Sequence, residues 1–321
     1  MRLSMFAPVL LGAMIPLTGL TGQLPDLPRA PGNLVDVGAG RRLHLLCSGR
    51  GSPTVVLEAG ASSFAIDWTL VRQTVDRSTR VCAYDRAGMG WSDSAAVPGS
   101  EANDLHRLLR ASGERPPYVL VGASRGGLLI RRYLADYPSD VAGLVFVDPA
   151  TEDRLWIMLG GRALLFAALT PSQLDSTLPR APVAVPRRPV QTGAPFDKLP
   201  PELYDARMRL DARLVASLPD TMTPEMIATA QRREQAFLAQ LLASRAATPH
   251  PFGDRPTVVL SRGDERNAGR EEVHAALARL STNSRHAVVP GAGHEIHLFE
   301  PDAVVRAILD VLRVIRENGR L

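Results

Sequence analysis

The first chemical signal in this chain is Gly122-Ala123-Ser124-Arg125-Gly126-Gly127, which follows the apolar run Tyr118–Val121 and precedes a helical pattern over Leu128–Tyr137. In that context G-x-S-x-G describes a serine on a sharp strand-to-helix turn. Glycine two positions before and after the serine removes side chains that such a turn has no room for. The turn lifts the hydroxyl above the sheet, and the N-terminus of the following helix favours developing negative charge. The backbone amide of Arg125 then faces an oxyanion. A serine hydroxyl becomes a nucleophile only when a base takes its proton. Of seven histidines, His294 is the candidate base. It follows an apolar run, sits in a glycine-flanked loop and precedes the last helical pattern. His297, three residues on, reads as a packing or helix-entry residue, and the remaining five histidines have no such context.

Strand and helix signals alternate around this pair. Leu34–Val37 and Arg42–Cys47 read as a hairpin about Gly38-Ala39-Gly40, and Thr54–Glu58, Arg80–Tyr84, Val141–Val147, Thr257–Leu260 and His286–Val289 read as strands. Phe64–Val75 and Glu101–Ser112 have helical spacing, and Pro301–Asn318 is a strongly periodic closing helix. The alternation predicts an α/β fold with a mostly parallel sheet. Residues 151–254 break the rhythm. Helical patterns at 152–169, 202–218 and 224–247 surround a proline-rich stretch at 179–201, with no convincing strand. This segment is expected to be an inserted helical cap, leaving 34–150 and 255–321 as the core.

Together these features resemble the α/β-hydrolase family, in its serine-nucleophile, esterase- and lipase-like branch. Val55–Ala61 (VVLEAGA) is similar to the family's strand and oxyanion loop, and Tyr84–Ser92 (YDRAGMGWS) to its YDRxGxGxS turn. Ser281–His294, running on to Pro301, resembles the strand and loop that deliver the histidine. The resemblance spans Val35–Pro149 and Arg255–Leu312 and leaves the cap unmatched. It implies an eight-stranded, mostly parallel sheet, an order of serine before histidine that Ser124 and His294 satisfy, and oxyanion donors at the amides of Ala61 and Arg125. It offers two places for the acid that orients the base. Asp148, after the strand that precedes the cap, is preferred. Asp264 is the alternative, because Arg266 stands where the usual G-x-x-D would place its acid. The resemblance also makes the strands of Cys47 and Cys82 neighbours, which implies a disulfide in an oxidising compartment.

Composition narrows the rest. With 45% hydrophobic and 22% charged residues the chain is globular. Lys198 is the one lysine among 37 basic residues, which are scattered among 33 acidic ones, so the net charge of +4 forms no nucleic-acid-binding patch. Two cysteines exclude a zinc cluster. Gly88-x-Gly90 lacks the third glycine of a dinucleotide fingerprint, since Asp93 stands there. Arg2 followed by the uncharged run Met5–Leu20 reads as a signal peptide or N-terminal anchor over 1–22, with a linker over 23–33. The expectation is an exported serine hydrolase acting on a small-molecule acyl substrate, with no metal or organic cofactor and with its N-terminal segment as the candidate for membrane association; Leu155–Leu169, apolar enough for an interfacial helix, is read as packing on the sheet instead. The rival is a slow or non-catalytic binding protein on the same fold.

Overall fold

The computed structural model describes residues 26–94, 101–153, 155–264 and 269–321. The 1–22 segment, residues 23–25 of the linker, and Glu265 and Arg266 lie outside these.

Twelve strands and nine helices follow one another among the described residues. The strands are β1 (Asn33–Asp36), β2 (Arg42–Ser48), β3 (Thr54–Glu58), β4 (Val81–Tyr84), β5 (Tyr118–Ala123), β6 (Val141–Val147), β7 (Trp156–Leu159), β8 (Arg162–Leu165), β9 (Val183–Ala184), β10 (Thr221–Met222), β11 (Thr257–Gly263) and β12 (Ser284–Pro290). The helices are α1 (Thr69–Val75), α2 (Glu101–Ala111), α3 (Arg125–Asp136), α4 (Pro171–Asp175), α5 (Pro201–Ser217), α6 (Pro224–Ala247), α7 (Arg270–Ala278), α8 (Ile296–Phe299) and α9 (Pro301–Glu317).

Eight strands form one sheet in the order β1-β2-β4-β3-β5-β6-β11-β12. The β1 and β2 pairings are antiparallel, and those from β4 to β12 are parallel. The parallel strands β3, β5 and β6 are almost continuously apolar because both faces of the sheet are covered. On one face α9 lays Val304, Ile308 and Val311 beside Val71 and Val75 of α1. On the other, Leu105 and Leu108 of α2, Ile130 and Tyr133 of α3 and Leu277 of α7 belong to one buried cluster. Each apolar stripe recurs at helical spacing, which explains why these segments become helices and how they dock. Cys47 and Cys82 face each other across β2 and β4 and form a disulfide.

The segment between β6 and β11 contains the expected long helices as α5 and α6. The helix expected over 152–169 is instead a β-hairpin, β7–β8. Gly160 and Gly161, with φ of 56° and 79°, form the two-residue turn that such a hairpin favours. Its apolar residues therefore alternate between faces, with Ile157 buried between the exposed Trp156 and Met158. Ile157, Phe166 and Leu238 pack on Leu128 of α3, tying the segment to the helix that follows Ser124. Among the described residues, no helix is long and apolar enough to cross a membrane.

Candidate active site

Ser124 sits between β5 and α3 with φ 50° and ψ −120°, a conformation that non-glycine residues seldom adopt. Such strain persists only where the surroundings over-determine it. The two flanking glycines do this by allowing close approach. A Cβ at Gly122 would come 2.5 Å from the carbonyl oxygen of Gly126, and one at Gly126 would come 2.5 Å from that of Glu58. Gly60 forms the opposite wall, where a Cβ would lie 3.5 Å from Ser124 Cβ. Ser124 is half-buried at the start of α3, where the first amides of a helix have no intrahelical acceptor. The amide of Arg125 belongs to this first turn. Its side chain is held elsewhere, donating to Glu234 at 2.9 and 3.1 Å and to Glu101 at 3.3 Å.

The loop after β3 is fixed by the Tyr84-Asp85-Arg86 turn. The buried Arg86 guanidinium donates to the carbonyls of Ala59 (2.7 Å) and Gly60 (2.6 Å), and to Glu58 Oε1 (2.7 Å). Asp85 accepts from the amide of Ala65 at 2.8 Å, securing the far end of the same loop. With its carbonyls turned towards Arg86, the segment carrying Ala61 has a defined orientation beside Ser124. Sequence reasoning matched this motif as a pattern but missed Arg86 as the group that grips the loop. The signal was an arginine directly after a strand, ahead of a glycine-rich turn.

Asp148 follows β6 with φ 39° and is fully buried. His294 Nδ1 donates to its Oδ2 at 2.5 Å, and the amide of Arg262 donates to its Oδ1 at 3.3 Å. Arg262 and Arg270 add guanidinium nitrogens at 3.4 and 3.6 Å from Oδ2. Burial alone would raise the Asp148 carboxyl. The hydrogen bond and charge of His294, with Arg270 and Arg262, outweigh it and hold the group below the usual range. Of the two acids considered from sequence, Asp148 is the one bonded to His294. Asp264 lies beside Arg262, at 3.7 Å from its Nε.

The turn carrying Asp148 is also bonded to the backbone of Ser124. The amide of Ser124 donates to Val147 O at 3.1 Å, and the amide of Ala150 donates to Ser124 O at 2.9 Å. Ser124, Asp148 and His294 thus belong to one connected constellation. An imidazole whose Nδ1–H is given to a carboxylate has its Nε2 lone pair free to accept a proton.

His297 is buried against Trp68, with ring centroids 4.5 Å apart, as a packing residue. Desolvation, with His294 and Arg207 nearby, pushes its imidazole down to about 3, so it is neutral. Arg207 of α5 lies near His297. It is fully buried, lies 3.8 Å from the ring centroid of Phe196 and pairs with Asp67 at 3.4 Å. A cavity of about 870 Å³ opens beside His294, lined by Glu295, Phe299 and Arg262 and by Gln191 and Phe196 from the segment before α5.

A family model described as the alpha/beta hydrolase fold matches residues 52–301. The "AB hydrolase superfamily protein" of Gibberella zeae is 33% identical over 132 residues, covering 37% of this chain and 41% of that protein. The "Uncharacterized protein YqjL" of Bacillus subtilis is 24% identical over 271 residues, covering 82% and 85%. The chain spans less than half the length of the curated relatives it matches at about a third identity. Among solved structures, a thermophilic esterase from Thermogutta terrifontis superposes with a TM-score of 0.57 at 22% identity, covering 88% of this chain and 97% of that one.

Proposed function

The chain belongs to the α/β-hydrolase family, and from that premise we propose that it is an exported serine hydrolase that cleaves a carboxylic ester or related acyl bond. Ser124 Oγ attacks the carbonyl carbon while His294 Nε2 takes its proton. The C–O bond to the leaving group breaks, and His294 returns the proton to the departing oxygen. Water then attacks the acyl-enzyme by the same route and releases the acid. Asp148 keeps the imidazole in its working tautomer and stabilises the imidazolium. The amides of Arg125 and Ala61 receive the oxyanion.

The observation that carries this reading is the 2.5 Å bond from His294 to Asp148, whose turn is itself bonded to the Ser124 backbone. Export belongs to the same reading. The uncharged run Met5–Leu20 supports it, and the Cys47–Cys82 bond is compatible with an oxidising compartment.

The test is intact mass after incubation with a fluorophosphonate. The parent gains one adduct and Ser124→Ala gains none. A folded parent that gains no adduct overturns the hydrolase assignment in favour of ligand binding on this fold.

A further inference from the structure

A second serine–histidine cluster lies behind the acid. Ser261 of β11 and His274 of α7 are both fully buried, and His286 of β12 is half-buried. Ser261 Oγ lies 2.6 Å from His274 Nδ1 and 2.8 Å from His286 Nε2, while His274 Nε2 lies 2.9 Å from the carbonyl oxygen of Pro149. These contacts have one consistent polarity at neutral pH. A carbonyl only accepts, so His274 Nε2 carries the hydrogen. Burial lowers the His274 imidazole to about 4, so it is neutral and its Nδ1 is an acceptor. Ser261 therefore donates to Nδ1, and its oxygen accepts from His286 Nε2–H. Asp148 and Arg270 face His274, and Glu271 faces His286.

The chain of bonds continues past Pro149. The peptide whose carbonyl takes the His274 hydrogen has the Ala150 amide on its other side, and that amide donates to Ser124 O at 2.9 Å. One line of hydrogen bonds thus runs from His286 through Ser261, His274 and the 149–150 peptide to the backbone of Ser124. Hydrogen bonds in series polarise and strengthen one another. The line crosses the turn that holds Asp148 at φ 39°, a conformation that needs outside support.

We propose that Ser261 and His274 are positioning residues of the active site, locking the Asp148–Ala150 turn so that Asp148 meets His294 and the Ser124 turn keeps its place. The inference rests on Ser124 being the nucleophile. Both are fully buried, and neither lines the cavity beside His294.

The experiment compares fluorophosphonate labelling rates across pH for the parent, His274→Phe, His274→Gln and Ser261→Ala, each shown to be folded by its near-ultraviolet spectrum and melting curve. Misplacement by a fraction of an ångström slows His274→Phe about ten- to a hundredfold and moves the pH midpoint of labelling downward, because the Asp148 bond to the imidazolium weakens. His274→Gln, whose amide nitrogen replaces Nε2 as donor to Pro149, regains most of the rate and the parental midpoint. Ser261→Ala is slowed several-fold, and it decides the matter if His274→Phe does not fold. A merely structural role would change melting but leave rate and midpoint alone. Parental rate and midpoint in folded His274→Phe, or in folded Ser261→Ala should His274→Phe not fold, overturn the inference while the hydrolase assignment stands. A parent that does not label overturns both.

Discussion

The Nδ1 of His294 and the Oδ2 of Asp148 lie 2.5 Å apart although 146 residues separate them in the chain. The contact joins the loop after β12 to the turn after β6 across the intervening β11, and it supports Asp148 over Asp264 as the acid of the proposed triad. Asp148→Asn should preserve the shape but favour the wrong imidazole tautomer. It should lower kcat about 10⁴-fold, the size of effect known for this substitution in serine-protease triads. Asp264→Asn should remain within about threefold of the parent. Steady-state hydrolysis of an activated ester by both variants measures this, and the reverse ranking would reassign the acid.

Arg86 holds the loop after β3, the proposed oxyanion loop, by its carbonyls. Arg86→Met should slow acylation about 10²-fold, comparable to loss of one oxyanion donor. It should also destabilise the fold, because Glu58 keeps its buried carboxyl with no guanidinium beside it. Arg86→Lys should recover part of the stability and less of the rate, since an ammonium cannot fork across two carbonyls. Single-turnover labelling of the folded fraction separates the two effects.

The Cys47–Cys82 bond closes a loop of 35 residues between two strands paired side by side. In the chain-entropy model such a crosslink contributes about 4 kcal/mol. The double Cys→Ala variant should lose about that much unfolding free energy, seen as a lower urea midpoint, and retain the parental labelling rate once folded. A variant equally stable to urea would contradict this.

Acid should weaken the fold in a defined window. His274 and His297 titrate near 4 and near 3 in the native chain, against an ordinary 6.5 when unfolded. The unfolded state therefore binds more protons between these limits, and stability is full above about 6.5 and falls as pH drops towards 4 and 3. Asp67 acts with the opposite sign. Burial raises it to about 6 from 3.8, despite the opposing charge of Arg207, so its burial weakens the fold as pH rises through that interval. Urea midpoints from pH 7 to 4 should fall, more steeply in Asp67→Asn and less steeply in His297→Phe.

The core was legible because its signals are local. The elbow glycines, the apolar strands and the stripe of α9 each declare themselves within a few residues. Asp148 was readable only as one of two options, because choosing an acid requires knowing which turn reaches His294. Residues 152–169 were misread because a hairpin with both faces apolar looks like a helix stripe until Gly160-Gly161 is taken as a turn. Arg207 gave no sign at all. Its burial depends on Phe64, Asp67 and Phe196, which come from distant segments.

Arg125 has a backbone role beside Ser124, yet its side chain reaches Glu234 of α6 and lies over the ring of Phe237. The residue after Ser124 thus ties α3 to α6 of the 151–254 segment. Grafting onto this core a 151–254 segment that lacks an acid at the Glu234 position would leave that guanidinium with Glu101 of α2 as its acidic partner, and removing one member of a buried charge pair is unfavourable. Position 125 and its acidic partner in that segment therefore form a unit that an exchange should carry together.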